Sequence, residues 1–225
     1  MFIGHYAPAL LAAAAYNPRY RLSLGIGFVA TQLVDLAFFS LQLLGVEHFR
    51  LVPHITAMNA MDLYDMPWTH SLIGSIGWAA LFAAVIWVWR RDPLPALVAA
   101  MLVLSHWLFD LLVHRPDLTM WGQPPRFGLG LWDHPVIEIP LELALAVGTL
   151  AFYWSRTVPT DRAGRFAPPV LALVMAAFQA INWFEPQPDR IIDPAPAAAG
   201  WLALFAYLLL AGVAWWTARH RRIRL

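Results

Sequence analysis

Six mostly apolar stretches divide the chain, at roughly 22–46, 68–89, 94–114, 136–155, 167–185 and 197–217. Each is near the length of about 20 residues that a helix needs to cross a bilayer core about 30 Å thick. In lipid only helices and closed barrels satisfy their own backbone groups, and runs this long and this apolar read as helices. The expected fold is therefore all-α: a polytopic transmembrane helical bundle of six long spans plus a short N-terminal helical segment, forming a single domain over residues 1–225. Composition agrees, because 60% of residues are hydrophobic and 13% are charged, whereas a soluble domain carries about 25% charged residues. Cysteine is absent, which excludes disulfides and thiolate metal sites. A net charge of +1 gives no footprint for nucleic acid. The opening MFIGHYAPALLAAAAY has His5 where a signal peptide carries its basic region, so it is expected to belong to the mature protein. Segment 2–16 is apolar but short, which leaves a short span, a half-helix or an interfacial helix. Pro18, Arg19 and Arg21 mark a loop after it. No internal repeat is visible.

The cations set an orientation. All 15 are arginine. One alternate set of loops holds Arg19, Arg21, Arg90, Arg91, Arg156, Arg162, Arg165, Arg219, Arg221, Arg222 and Arg224. The other set holds only Arg50, Arg115, Arg126 and Arg190, together with most of the loop acids. By the positive-inside rule the C-terminus is expected in the cytoplasm of a bacterial inner membrane. Loops 47–67, 115–135 and 186–196 then face outward.

Ionisable residues inside the spans carry the functional signal, since a buried Asp costs at least about 2.5–3.5 kcal/mol to insert. In SHWLFDLLVH, His106, Asp110 and His114 recur at i, i+4 and i+8, which lines them up on one helix face. Asp35 sits mid-span and shares a face with Gln32. His70, in MPWTHSL, falls in the first turn of its span, and His5 lies on the same side if segment 2–16 crosses. Glu138 and Glu142 form a further i, i+4 pair, and Glu185 closes a span end. These three also read as ordinary headgroup-level acids. At 1.5 Å per residue, Asp35 lies about 16 Å and His106 about 12 Å below the outward ends of their helices. The groups are thus able to line one cavity opening outward, and nothing comparable occupies the cytoplasmic halves.

Imidazole and carboxylate donors suit a divalent metal. Zinc with three such ligands and an open position brings a bound water to a pKa of about 7. His5, Asp35, His70, His106, Asp110 and His114 supply enough groups for that shell and a general base, with Asp35 or Asp110 alternatively orienting a histidine. An enzyme at this depth would meet a membrane lipid or lipid-linked molecule and hydrolyse an ester, amide or phosphoester through a metal-activated water. GLGLWDHP, residues 128–135, is expected near the mouth. Asp133 and His134 there are polar candidates, or caps for the following span.

His5, Asp35, the Thr69–Ser71 triplet THS and SHWLFD at 105–110 together resemble a family of bacterial inner-membrane proteins, the YdjM-like membrane-bound metal-dependent hydrolases. The resemblance covers about residues 1–115. It carries over His5, Asp35, His70, His106 and Asp110 as site residues; with His114 from the helical stripe added, the expected metal ligands are His5, His70, His106 and Asp110, the catalytic groups Asp35, Asp110 and His114, and the ion zinc. The family has a further histidine and an Arg-Gly pair before its THS, where this chain reads DLYDMPWTHS. Either Asp62 or Asp65 replaces that histidine, or a ligand has been lost. Two other readings stand beside the hydrolase. A permease for a small polar solute would carry polar residues through to the cytoplasmic halves. A purely structural bundle would use its polar residues only to hold helices together.

Overall fold

The computed structural model describes residues 1–15, 20 and 22–224. Pro18, Arg19 and Arg21, read above as a loop, lie outside the described residues. The chain is a helical bundle. A 3₁₀ turn, Ile3–Tyr6, runs into α1 (Ala7–Ala13). Next come α2 (Leu24–Thr31) and α3 (Leu33–Leu43). The long helices are α4 (Leu72–Arg90), α5 (Pro93–Val113), α6 (Pro135–Arg156), α7 (Ala163–Phe184) and α8 (Ala197–Arg219). These five run 19 to 23 residues with mean hydropathy from 1.4 to 2.1, so each reaches the roughly 30 Å of a bilayer core.

Local sequence explains their ends. The Ser71 hydroxyl accepts from the Gly74 amide at 3.0 Å and caps α4. Asp92 caps α5 through the Leu94 amide, with Pro93 at its first position. Arg91 adopts a left-handed backbone (φ 52°) that stops α4, which lets α4 and α5 fold back on each other as a tight hairpin.

Two features depart from simple spans. The stretch read as one span at 22–46 is broken at Gln32, and its halves, α2 and α3, are bent by 55°. The first segment is a half-helix. Four residues of 3₁₀ turn and seven of α1 rise only about 18 Å. It is enclosed by the bundle, with Tyr6, Ala7 and Leu10 fully buried.

Short ribbons close both ends. At one end β1 (His48–Leu51) pairs antiparallel with β2 (Met61–Asp65), and β3 (Leu118–Thr119) pairs with β4 (Arg126–Phe127). At the other, β5 (Thr157–Pro159) pairs with β6 (Arg221–Ile223). There the buried Arg221 guanidinium donates to the carbonyls of Gly164 and Thr157. Near this second end the interior is apolar, filled by Leu10, Phe28, Leu150, Leu171 and Leu210 beside α1 and by Ile86, Ala99 and Val103 between α4 and α5.

Small residues allow the closest helix approaches. A Cβ on Gly25 of α2 would stand 2.8 Å from the Trp215 Cα of α8. Gly25→Leu is expected to drive α2 and α8 apart and to destabilise by about 1–3 kcal/mol. Gly212, also on α8, meets nothing within 4 Å, so Gly212→Ala should hold or raise stability by about 0.5–1 kcal/mol. Thermal unfolding of the two variants in detergent separates these outcomes.

Candidate metal centre

Helix α5 supplies the frame. Asp110 lies one turn from His106 and one turn from His114, so all three face the same way. His114 is the C-cap of α5. His70 stands just ahead of the α4 cap Ser71, and His5 is carried by the 3₁₀ turn. Asp35 lies in the first turn of α3, where the helix dipole favours a negative charge.

These six residues, drawn from four separate parts of the chain, converge. His5 Nε2 is 3.1 Å and His114 Nε2 3.4 Å from Asp110 Oδ1. His106 Nε2 is 3.0 Å and His70 Nε2 3.6 Å from Asp110 Oδ2. Asp35 Oδ1 is 3.3 Å from His70 Nε2 and 3.5 Å from His106 Nε2. By distance alone, two groups are able to hold a metal ion: His5, His106 and Asp110, and Asp35, His70 and His106.

The far side of each ring settles its tautomer. His106 Nδ1 lies 2.7 Å from the Thr31 carbonyl at the break between α2 and α3. A carbonyl only accepts, so Nδ1 carries the proton. His114 Nδ1 donates to Asp117 Oδ1 at 2.8 Å. For His70 the chain is longer. Glu47 Oε2 accepts from the Thr69 hydroxyl at 2.7 Å, which leaves the Thr69 oxygen to accept from His70 Nδ1 at 2.9 Å. In their neutral form these three imidazoles therefore turn Nε2 lone pairs toward carboxylate oxygens.

Such lone pairs repel carboxylate oxygens unless a proton or a metal cation lies between them. His106 Nε2 and Asp110 Oδ2 are both buried and have no hydrogen-bond partner, although they sit 3.0 Å apart. A tetrahedral ion with bonds of about 2.0–2.1 Å keeps its ligands about 3.4 Å apart. The observed separations scatter around that value. The donor set and its orphaned atoms thus fit a divalent metal.

Several supporting residues were not singled out from sequence. Glu47 also accepts the Trp68 and Thr69 amides at 2.7 and 3.0 Å. Burial raises its pKa, against the pull of these hydrogen bonds and of His70. Its loop position resembled that of any outward acid, so nothing in the sequence marked it. Asp117 had a signal, since it follows His114 by three residues. Tyr207, a phenol in an apolar helix, donates to Asp35 Oδ2 at 2.8 Å.

Other sequence candidates find different places. Glu138 and Glu142 do not lie on the surface of the bundle, because both are buried. Glu142 accepts the Phe2 and Gly4 amides and the Gln179 side chain, and Gln179 accepts the Ile3 amide. Together they hold the turn that carries His5. Glu138 has no hydrogen-bond partner on either oxygen. Gln32 donates to the Phe2 carbonyl instead of joining the cluster. Asp62 pairs with Arg50 and Arg115, and Asp65 with His48, so neither replaces a ligand. Asp133 accepts the Ala57 amide, His134 takes the N-cap position of α6 without a side-chain cap bond, and Glu185 is exposed.

An open cavity reaches the cluster, lined by Asp35, His70, Asp110, His114, Glu138, Tyr207 and Trp132 among others. Trp132, from GLGLWDHP, lies 4.3 Å centroid to centroid from the His114 ring, so that stretch does border the cavity.

Loss of an orienting hydrogen bond typically weakens a metal site 10–100-fold. Thr69→Val, Glu47→Gln and Asp117→Asn should each weaken metal retention by about that factor, measured by competition against a chelator, with folding checked separately. Retention unchanged in all three variants would refute the orienting roles.

No protein-family model, no curated protein and no solved structure matches this chain. What the protein does has to be argued from the chemistry its own side chains assemble.

Proposed function

We propose that the chain is a metal-dependent membrane hydrolase acting on an ester, amide or phosphoester bond of a lipid or lipid-linked molecule. One observation carries the reading: imidazole Nε2 atoms and two carboxylates meet at ligand spacing, with three rings held in the ligating tautomer. Four-coordinate nitrogen and oxygen donation favours zinc. Such an ion polarises the scissile group and acidifies a water.

The chain's own groups do the rest. His70, His106, Asp35 and Asp110 bind, and Tyr207 fixes Asp35 through its hydroxyl. Glu138, buried beside Glu142 and facing the same cavity, takes the proton of the attacking water. It returns that proton to the departing oxygen or nitrogen as the scissile bond breaks.

Lipid as substrate is supported by a second, open apolar cleft between α7, α8 and the β1–β2 ribbon, lined by Phe178, Ile181, Leu202 and Ala203. It shares Phe2, Phe39, Met61, Asn182 and Tyr207 with the cluster's cavity. A headgroup bond at the cluster and an acyl chain in the apolar cleft fit the two spaces together. The arginine bias supports a site opening outward from a bacterial inner membrane with a cytoplasmic C-terminus. The likeness to the YdjM-like hydrolases points the same way. Apolar packing beneath the cluster, from Leu10, Phe28 and Leu210, favours hydrolysis over permeation.

Elemental analysis of the purified protein tests the reading. Metal below about 0.3 equivalents, unchanged by His106→Ala or His70→Ala, would overturn it. Glu138→Gln is expected to keep its metal and to lose about 10²–10⁴-fold in kcat on acyl or phosphodiester probes. A kcat within threefold or so of the parent value would remove Glu138 from the proton transfer.

A further inference from the structure

Resting on the metal reading above, we infer that the centre holds two divalent cations bridged by the carboxylate of Asp110. The two oxygens of Asp110 serve different histidines. Oδ2 faces His106 and His70 at 3.0 and 3.6 Å, and Oδ1 faces His5 and His114 at 3.1 and 3.4 Å.

Ring orientation separates His5 from His106. A metal lies in the plane of the imidazole that binds it, on the axis of the nitrogen lone pair. His5 and His106 stack face to face, with centroids 4.1 Å apart and planes 23° from parallel. Their lone pairs run side by side and do not meet at one bond length. His70 and His114 are also near parallel, at 29°. His70 and His106, by contrast, are inclined by 71° and are able to converge. The stacked pair is thus split between two ions, and His70 and His114 follow the two oxygens of Asp110 that they face. His70 and His106 go to one, and His5 and His114 to the other. For His5 and His106 the division by ring plane is the same as the division by Asp110 oxygen.

The first ion is complete without the remaining histidines. Asp35 Oδ1, at 3.3 Å from His70 and 3.5 Å from His106, joins Asp110 Oδ2 to give four protein donors, so a water or substrate oxygen enters there as a fifth ligand. His5 is then left over. It is buried, its Nδ1 has no hydrogen-bond partner, and its Nε2 meets only Asp110 Oδ1, at 3.1 Å. A proton or an ion has to lie between that nitrogen and the carboxylate. His114 is held by Asp117 with its Nε2 turned to Asp110 Oδ1. A second ion on Oδ1 satisfies both. Ions on the two oxygens of one carboxylate come about 3.5–4 Å apart, the separation of established two-metal sites.

The test uses the full chain in detergent, stripped and reloaded with Mn²⁺ alone. Bound manganese is measured by elemental analysis and its coupling by electron paramagnetic resonance. About two equivalents with an exchange-coupled multiline spectrum are expected. His5→Gln and His114→Gln alter different elements of the fold, and each should lower the content to about one equivalent with an uncoupled six-line spectrum. One equivalent in the parent protein overturns the bridged pair and leaves a mononuclear hydrolase standing. Two equivalents without coupling, or two retained by both variants, also overturn it. No bound metal overturns the hydrolase reading as well.

Discussion

The carboxylate of Asp110, buried in the bundle with an imidazole at each flank of both its oxygens, is the interaction around which the membrane half of this fold is arranged. An unpaired carboxylate at that depth would be expelled or neutralised. Four histidines reach it from three directions, and each approach demands something of the backbone. Helix α5 supplies two by its own periodicity. The lead-in to α4 bends so that His70 points inward, and the 3₁₀ turn before α1 brings His5. The bend between α2 and α3 turns the Thr31 carbonyl onto His106 and places Asp35 at a fresh helix N-terminus. Broken backbone is tolerated inside a membrane where neighbouring side chains re-satisfy its polar groups, and His106 does so here.

A second layer of hydrogen bonds converts proximity into chemistry. An imidazole beside a carboxylate is ambiguous until its other nitrogen is fixed. Thr31, Asp117 and the Glu47–Thr69 pair remove that ambiguity for three rings. Glu47 sits in the connection between α3 and β1, so the ribbon that closes this end of the bundle is tied to the orientation of His70. Tyr207 ties α8 to Asp35. Elements that contribute no ligand are thereby coupled to the centre, and changes in them are felt as changes in metal affinity.

Much of this was legible from sequence, for identifiable reasons. The spans follow from apolar length, and the His106–Asp110–His114 stripe follows from helical period within one segment. His5, Asp35 and His70 were recognisable because an ionisable group in an apolar run is conspicuous. The break at Gln32 was not legible, because no proline or glycine marks it and its cause is a partner 75 residues away in sequence. Glu47 was not legible either, since an acid in a polar loop carries no sign of burial. Glu138 and Glu142 looked superficial because they start a helix. The half-helix covers that end of α6 and encloses them, and residue spacing cannot foresee that packing.

The half-length first helix then has a physical reason. His5 contributes only if it stands level with Asp110, inside the bundle. A helix of full span would carry a residue so near its beginning out to the headgroups. Here the helix starts at the centre instead and runs through the apolar half, packing Tyr6 and Leu10 against Phe28 and Leu210. Its first amides, lacking intrahelical acceptors, would be stranded in lipid. Glu142 and Gln179 accept the amides of Phe2, Ile3 and Gly4, which satisfies the backbone and fixes the height of His5 in one arrangement. The acids of α6 are thus needed for the centre even where they touch no ligand, and the polar chemistry stays confined to one half of the bundle.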